Sequence, residues 1–71
     1  MKIGIVGLGL IGGSMAKAYR AYSDENNCDF KIYACNRSRS ILDFAILSGV
    51  VDGELDEKTI PECDIIFVSL Y

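Results

Sequence analysis

The run Gly7-Leu8-Gly9-Leu10-Ile11-Gly12, placed directly after the β-branched segment Lys2 to Val6, restricts the fold of this chain more than any other feature. A short apolar run ended by glycine reads as a buried strand, and from Leu10 to about Tyr22 the pattern changes to helical spacing, with Met15, Ala16, Tyr19 and Tyr22 on related faces. Strand, glycine turn and helix in that order give the G-x-G-x-x-G spacing a mechanism. Gly7 permits a tight turn, Gly9 leaves the backbone open to close approach, and Gly12 lets the helix pack on the strand. The helix N-terminus then offers free N–H groups and a partial positive charge to a pyrophosphate. Gly7, Leu8, Gly9, Leu10, Ile11 and Gly12 are its expected contacts, and Gly13 and Ser14 extend the small-residue surface. The competing reading is that the glycines serve only helix–strand packing. A P-loop is excluded, because Gly13 is followed by Ser14 with no lysine between them.

The remaining pattern predicts an α/β chain. Ser23 to Asn27 is polar and reads as an exposed loop, and Phe30 to Cys35 is a second strand. Asn36 to Ser40 is a polar junction in which Ser38 or Ser40 can cap a helix. Ile41, Leu42, Ala45 and Ile46 recur at helical spacing, and Gly49 is placed to end that helix. Val50 and Val51 read as a very short third strand. Residues 52–63 are polar with one proline and have room for a single helical turn, and Asp64 to Leu70 is another buried strand. The order β-α-β-α-β-β implies a Rossmann-like, partial doubly wound parallel sheet with right-handed crossovers.

At 71 residues, 51% of them hydrophobic, the chain is rich in core-forming side chains for its size. Parallel strands covered on both faces have this composition. Together with an end directly after a strand, it predicts that residues 1–71 are the N-terminal part of a larger dinucleotide-binding domain, poorly stable as a monomer by themselves. A net charge of −3 argues against a nucleic-acid surface, which carries a basic stripe. The three cysteines lack C-x-x-C spacing and fit reduced thiols in a cytoplasmic protein. Glycines break the N-terminal apolar run, which stops well short of the ~20 residues of a membrane span. With no histidine present, histidine acid–base chemistry is excluded within these residues.

A second constellation lies at the end of the second strand. In NAD-binding domains an acidic residue there bonds the ribose hydroxyls, and the equivalent position is Asn36. Asparagine can bond a ribose without repelling a 2′-phosphate. Arg37 follows, with Ser38 and Arg39 beyond it, and a guanidinium can pair with that phosphate and lie over the adenine. This predicts NADP, with NAD as the alternative. The competing reading makes Asn36 a turn residue and both arginines solvated surface. Ser69 and Tyr71 fall near the same sheet edge. Asp52, Glu54, Asp56 and Glu57 read as a solvated surface with no metal, and Cys35 and Cys63 as structural thiols.

The stretch Lys2-Ile3-Gly4-Ile5-Val6-Gly7-Leu8-Gly9-Leu10-Ile11-Gly12-Gly13-Ser14-Met15-Ala16 closely resembles the start of prephenate and arogenate dehydrogenases. Leu47 to Asp52 looks like the segment that ends the family's second helix, and Asp64 to Val68 looks like its fourth strand. The resemblance implies a parent that oxidatively decarboxylates prephenate or arogenate in tyrosine biosynthesis, passing hydride to a nicotinamide. It also implies a homodimer, built through a helical domain, and a catalytic histidine, none of which these residues contain. Many relatives carry aspartate where this chain has Asn36. A 3-hydroxyacid or 6-phosphogluconate type dehydrogenase is the nearest enzyme alternative, although Ile11 stands where those carry methionine. A non-catalytic nucleotide-sensing domain is the alternative outside enzymes.

Overall fold

The computed structural model describes residues 1–69, apart from the side chains of Leu10 and Ile11. Strand β1 (Lys2–Val6) leads into helix α1 (Leu10–Glu25), followed by β2 (Lys31–Cys35), α2 (Arg39–Leu47), β3 (Gly53–Glu54), a 3-10 turn (Ile60–Glu62) and β4 (Ile65–Val68). The four strands form one parallel sheet in the order β3-β2-β1-β4. The chain thus steps outward twice from β1 and then crosses back to its other side. This is a partial Rossmann-like α/β sheet, as the alternating pattern predicts.

Two successive β-α-β crossovers in one direction put α1 and α2 on the same face of the sheet. That face holds the core. Ile3, Ile5, Ile32 and Ala34 of the strands meet Ala16 of α1 and Leu42 of α2, with Leu8 and Val51 closing the ends. Ile3, Ile5, Ile32, Leu42 and Val51 are fully buried, and each contributes about 1.5–3 kcal/mol relative to an exposed side chain. Tyr19 and Tyr22 extend this layer at its edge, Tyr19 tilted on Phe67 at 5.8 Å and Tyr22 stacked on Phe30 at 5.7 Å.

Several elements depart from the sequence expectation. Helix α1 runs three residues past Tyr22 and takes in Ser23, which is buried, not looped out. Its hydroxyl donates to the Cys28 carbonyl and accepts the Phe30 N–H, so the turn into β2 folds around it. Val50 and Val51 form no strand. Their N–H groups both reach the Ala45 carbonyl, wrapping the end of α2 behind Gly49, whose φ is +81°. The Val51 side chain drops into the core, and pairing with β2 begins only at Gly53. Strand β4 is correctly located but not buried: Ile65, Ile66 and Val68 are exposed because β4 is an edge strand. Leu70 and Tyr71 lie outside the described residues. No described helix is long and apolar enough to cross a membrane.

Candidate functional site

The reversal of strand order at β1 opens a crevice at the carboxyl ends of β1, β2 and β4, where open α/β sheets bind their ligands. A groove of about 710 Å³ occupies it, lined by Gly7, Leu8 and Gly9 on one side and by Asn36, Arg37 and Ser38 on the other, with Ser69 at its edge. The structure therefore brings together both constellations read from the sequence. The side chains of Leu10 and Ile11, also expected contacts, lie outside the described residues. Their backbone forms the first turn of α1.

Two glycines are required by close approach. Gly7 has a φ of +94°, and a Cβ there would run into the Ser69 carbonyl oxygen. At Gly12 a Cβ would run into the Gly7 carbonyl oxygen, so α1 presses directly onto the turn. Gly13 differs, since a Cβ there meets only the Leu8 oxygen at ordinary contact distance, 3.6 Å. Gly9 is the N-cap of α1 and supplies no side-chain cap, and the first turn holds no acidic residue. The N–H groups of that turn thus keep their electropositive character.

The turn is held from β2. The Gly7 N–H donates to the Cys35 carbonyl at 2.8 Å, and the Leu8 N–H donates to the Asn36 side-chain oxygen at 2.9 Å. The Asn36 amide nitrogen donates in turn to the Ser38 carbonyl at 3.2 Å. Both ends of the Asn36 side chain are therefore engaged by protein, where the sequence assigned it to a ribose. Leu8 is similarly committed, its side chain in the core and its N–H on Asn36. On the far side, the Ser69 N–H donates to the Val6 carbonyl at 2.7 Å, fixing the end of β4 over Gly7.

The two arginines separate. Arg37 is exposed on the groove wall and forms no ion pair with a carboxylate among the described residues. Arg39 turns away to Asp43 at 3.2 Å and Glu54 at 2.9 Å, and the Glu54 and Asp43 carboxylates raise its pKa. Ser38 occupies the N-cap position of α2 without making a side-chain cap bond; its hydroxyl meets that of Ser40 at 3.1 Å.

Asp52, Glu54 and Asp56, which follow α2, have structural partners. Asp52 accepts the Ile32 N–H at 2.8 Å and pairs with Arg20 of α1 at 2.6 Å. The backbone N–H groups of Thr59 and Lys58 hold the Asp56 carboxyl below its usual pKa. Cys35 borders the groove as the last residue of β2. Cys63 donates to the Thr59 carbonyl, and burial, with Asp64 and Glu62 nearby, pushes its thiol pKa up. Sequence reasoning missed the Asn36–Leu8 tie and the Asp52 junction, because both join residues far apart in the chain.

No protein-family model and no curated protein matches the chain. The crystal structure of Synechocystis arogenate dehydrogenase is similar to it, with a TM-score of 0.78 and 33% sequence identity. The likeness covers 96% of this chain and 23% of that one. The resemblance carried by Lys2 to Ala16 thus extends in three dimensions over nearly all of the chain, which spans under a quarter of that relative's length.

Proposed function

We propose that these 71 residues are the N-terminal part of the dinucleotide-binding domain of an oxidoreductase of the prephenate and arogenate dehydrogenase type, with NADP as the preferred cofactor and NAD as the weaker one. The observation that carries this reading is the groove itself. Gly7, which cannot bear a Cβ, lines it on one side with Gly12 packed directly behind the turn, and an arginine with no carboxylate partner among the described residues stands on the other. The likeness to an arogenate dehydrogenase at 33% identity favours this reading over a 3-hydroxyacid or 6-phosphogluconate type enzyme.

In this reading the first-turn N–H groups of α1 and the Gly9 backbone hold the pyrophosphate. Arg37 and Ser38 meet the adenosine end, and the Arg37 guanidinium pairs with a 2′-phosphate. Ser69 borders the passage toward the nicotinamide. When bound, the cofactor supplies the acceptor for a hydride leaving the substrate. The chain's own residues bind and orient it. Substrate contacts, the proton-handling group and the dimer surface are assigned to the rest of a longer cytoplasmic protein acting on prephenate or arogenate. Isothermal titration of the chain with NADPH and NADH tests the proposal. Saturable binding with NADPH tighter is expected, and equal affinities would remove the NADP preference.

A further inference from the structure

The Asn36 side chain is the one connection, among the described hydrogen bonds, that joins a side chain at the end of β2 to the glycine turn after β1. We infer that Asn36 is a positioning residue that locks the phosphate-binding turn and the 36–38 loop into one rigid unit, and does not itself read the ribose. This inference rests on the dinucleotide reading of the groove and gives its two walls a shared support.

The chemistry of the amide explains why asparagine suits this position. Its oxygen accepts the Leu8 N–H and its nitrogen donates to the Ser38 carbonyl, so one side chain needs an acceptor and a donor at once. An aspartate would keep the first bond but face the Ser38 carbonyl with a second acceptor. Its charge would also stand beside the wall that carries Arg37. Leu8 transmits the constraint, since its side chain is held in the core while its N–H is held by Asn36. With both Leu8 ends fixed, Gly9 and the first turn of α1 take their places before any ligand arrives. Such pre-organisation lowers the ordering cost of binding. A pyrophosphate on the turn and a 2′-substituent on the loop are thereby read at a fixed separation.

The test uses the 71-residue chain, amide hydrogen exchange, and three ligands: NADPH, NADH and adenosine 2′-monophosphate, which lacks the pyrophosphate. In Asn36→Ala the Leu8 amide should exchange about tenfold faster, the size expected from losing one net hydrogen bond. NADPH and NADH should both weaken by about that factor, and adenosine 2′-monophosphate, which meets only the 36–38 loop, should weaken less. Asn36→Asp guards against a simple loss of folding. It should retain Leu8 protection while losing NADPH affinity more than NADH affinity. The inference is overturned if Leu8 exchange is unchanged in Asn36→Ala, or if that variant loses NADPH while holding NADH. Were the parent chain to bind neither dinucleotide, the reading of the groove would fall. Leu8 exchange would then still decide whether the tie exists.

Discussion

The Asn36 side-chain oxygen stands 2.9 Å from the Leu8 backbone nitrogen, joining the end of β2 to the turn that leaves β1. A residue in the position expected to meet a ribose is spent on holding the glycine turn. Under the proposed reading, discrimination between the two nicotinamide cofactors then falls to Arg37, the next residue along the groove wall.

Gly7 and Gly12 should be intolerant of any side chain, and Gly13 should not. Gly7→Ala forces a positive φ on an L-residue and a contact with the Ser69 carbonyl, costing about 1–3 kcal/mol from the backbone alone. Gly12→Ala overpacks α1 against Gly7, at a cost of about 1–3 kcal/mol. Gly13→Ala sits within α1 in open contact and should stabilise by about 0.5–1 kcal/mol. Urea unfolding of the three variants checks the order.

Arg37 and Arg39 are two residues apart but should behave differently. Under the proposed reading, removing Arg37 deletes a charge-assisted bond to a 2′-phosphate, worth about 1.5–3 kcal/mol. Arg37→Ala should therefore weaken NADPH by roughly 10- to 100-fold and leave NADH nearly unchanged. Arg37→Asp should reverse the preference. Arg39→Ala should leave both affinities alone, since Arg39 is bound to Asp43 and Glu54. Calorimetric titration reads both.

Asp52 joins β2 to α1 through Ile32 and Arg20. Asp52→Ala leaves a strand N–H and a half-buried guanidinium without their partner and should cost about 1–3 kcal/mol. Asp52→Asn can still accept the Ile32 N–H and should cost less. Equal losses in thermal unfolding would contradict this division.

Cys63 should react slowly. Its thiol is shifted upward first by burial and then by Asp64 and Glu62, so the thiolate forms at higher pH than in the unfolded chain. The sign follows from linkage: the shift stabilises the fold below the unfolded pKa, and that contribution is lost as pH rises through the folded one. Near pH 8, iodoacetamide should label Cys28 before Cys63, and urea should abolish the difference. Equal rates in the folded chain would exclude this shift.

Much of this arrangement was legible in the residues. The bounds of β1, the glycine turn, the start of α1 and the stop at Gly49 all depend on local chemistry, and each falls where its residues require. Val50 and Val51 have strand propensity, yet the Ala45 carbonyl captures their N–H groups first. Ser23 looks like loop until its hydroxyl finds Cys28 and Phe30. Ile65 and Ile66 look buried, but burial depends on strand order, which local pattern does not specify. At the groove, the members were readable and their duties were not. Whether Asn36 faces a ribose or Leu8, and whether Arg39 faces a phosphate or Glu54, is decided by partners distant in the chain.

Mapping backbone amide shifts during an NADPH titration tests most directly whether this groove holds a dinucleotide. Saturable changes are expected at Gly7, Gly9, Gly12, Asn36, Arg37 and Ser69, with the exposed Leu47 of α2 unmoved. Shifts confined to the groove of about 440 Å³ between α1 and α2, around Lys17 and Phe44, or no saturable shift, would contradict it.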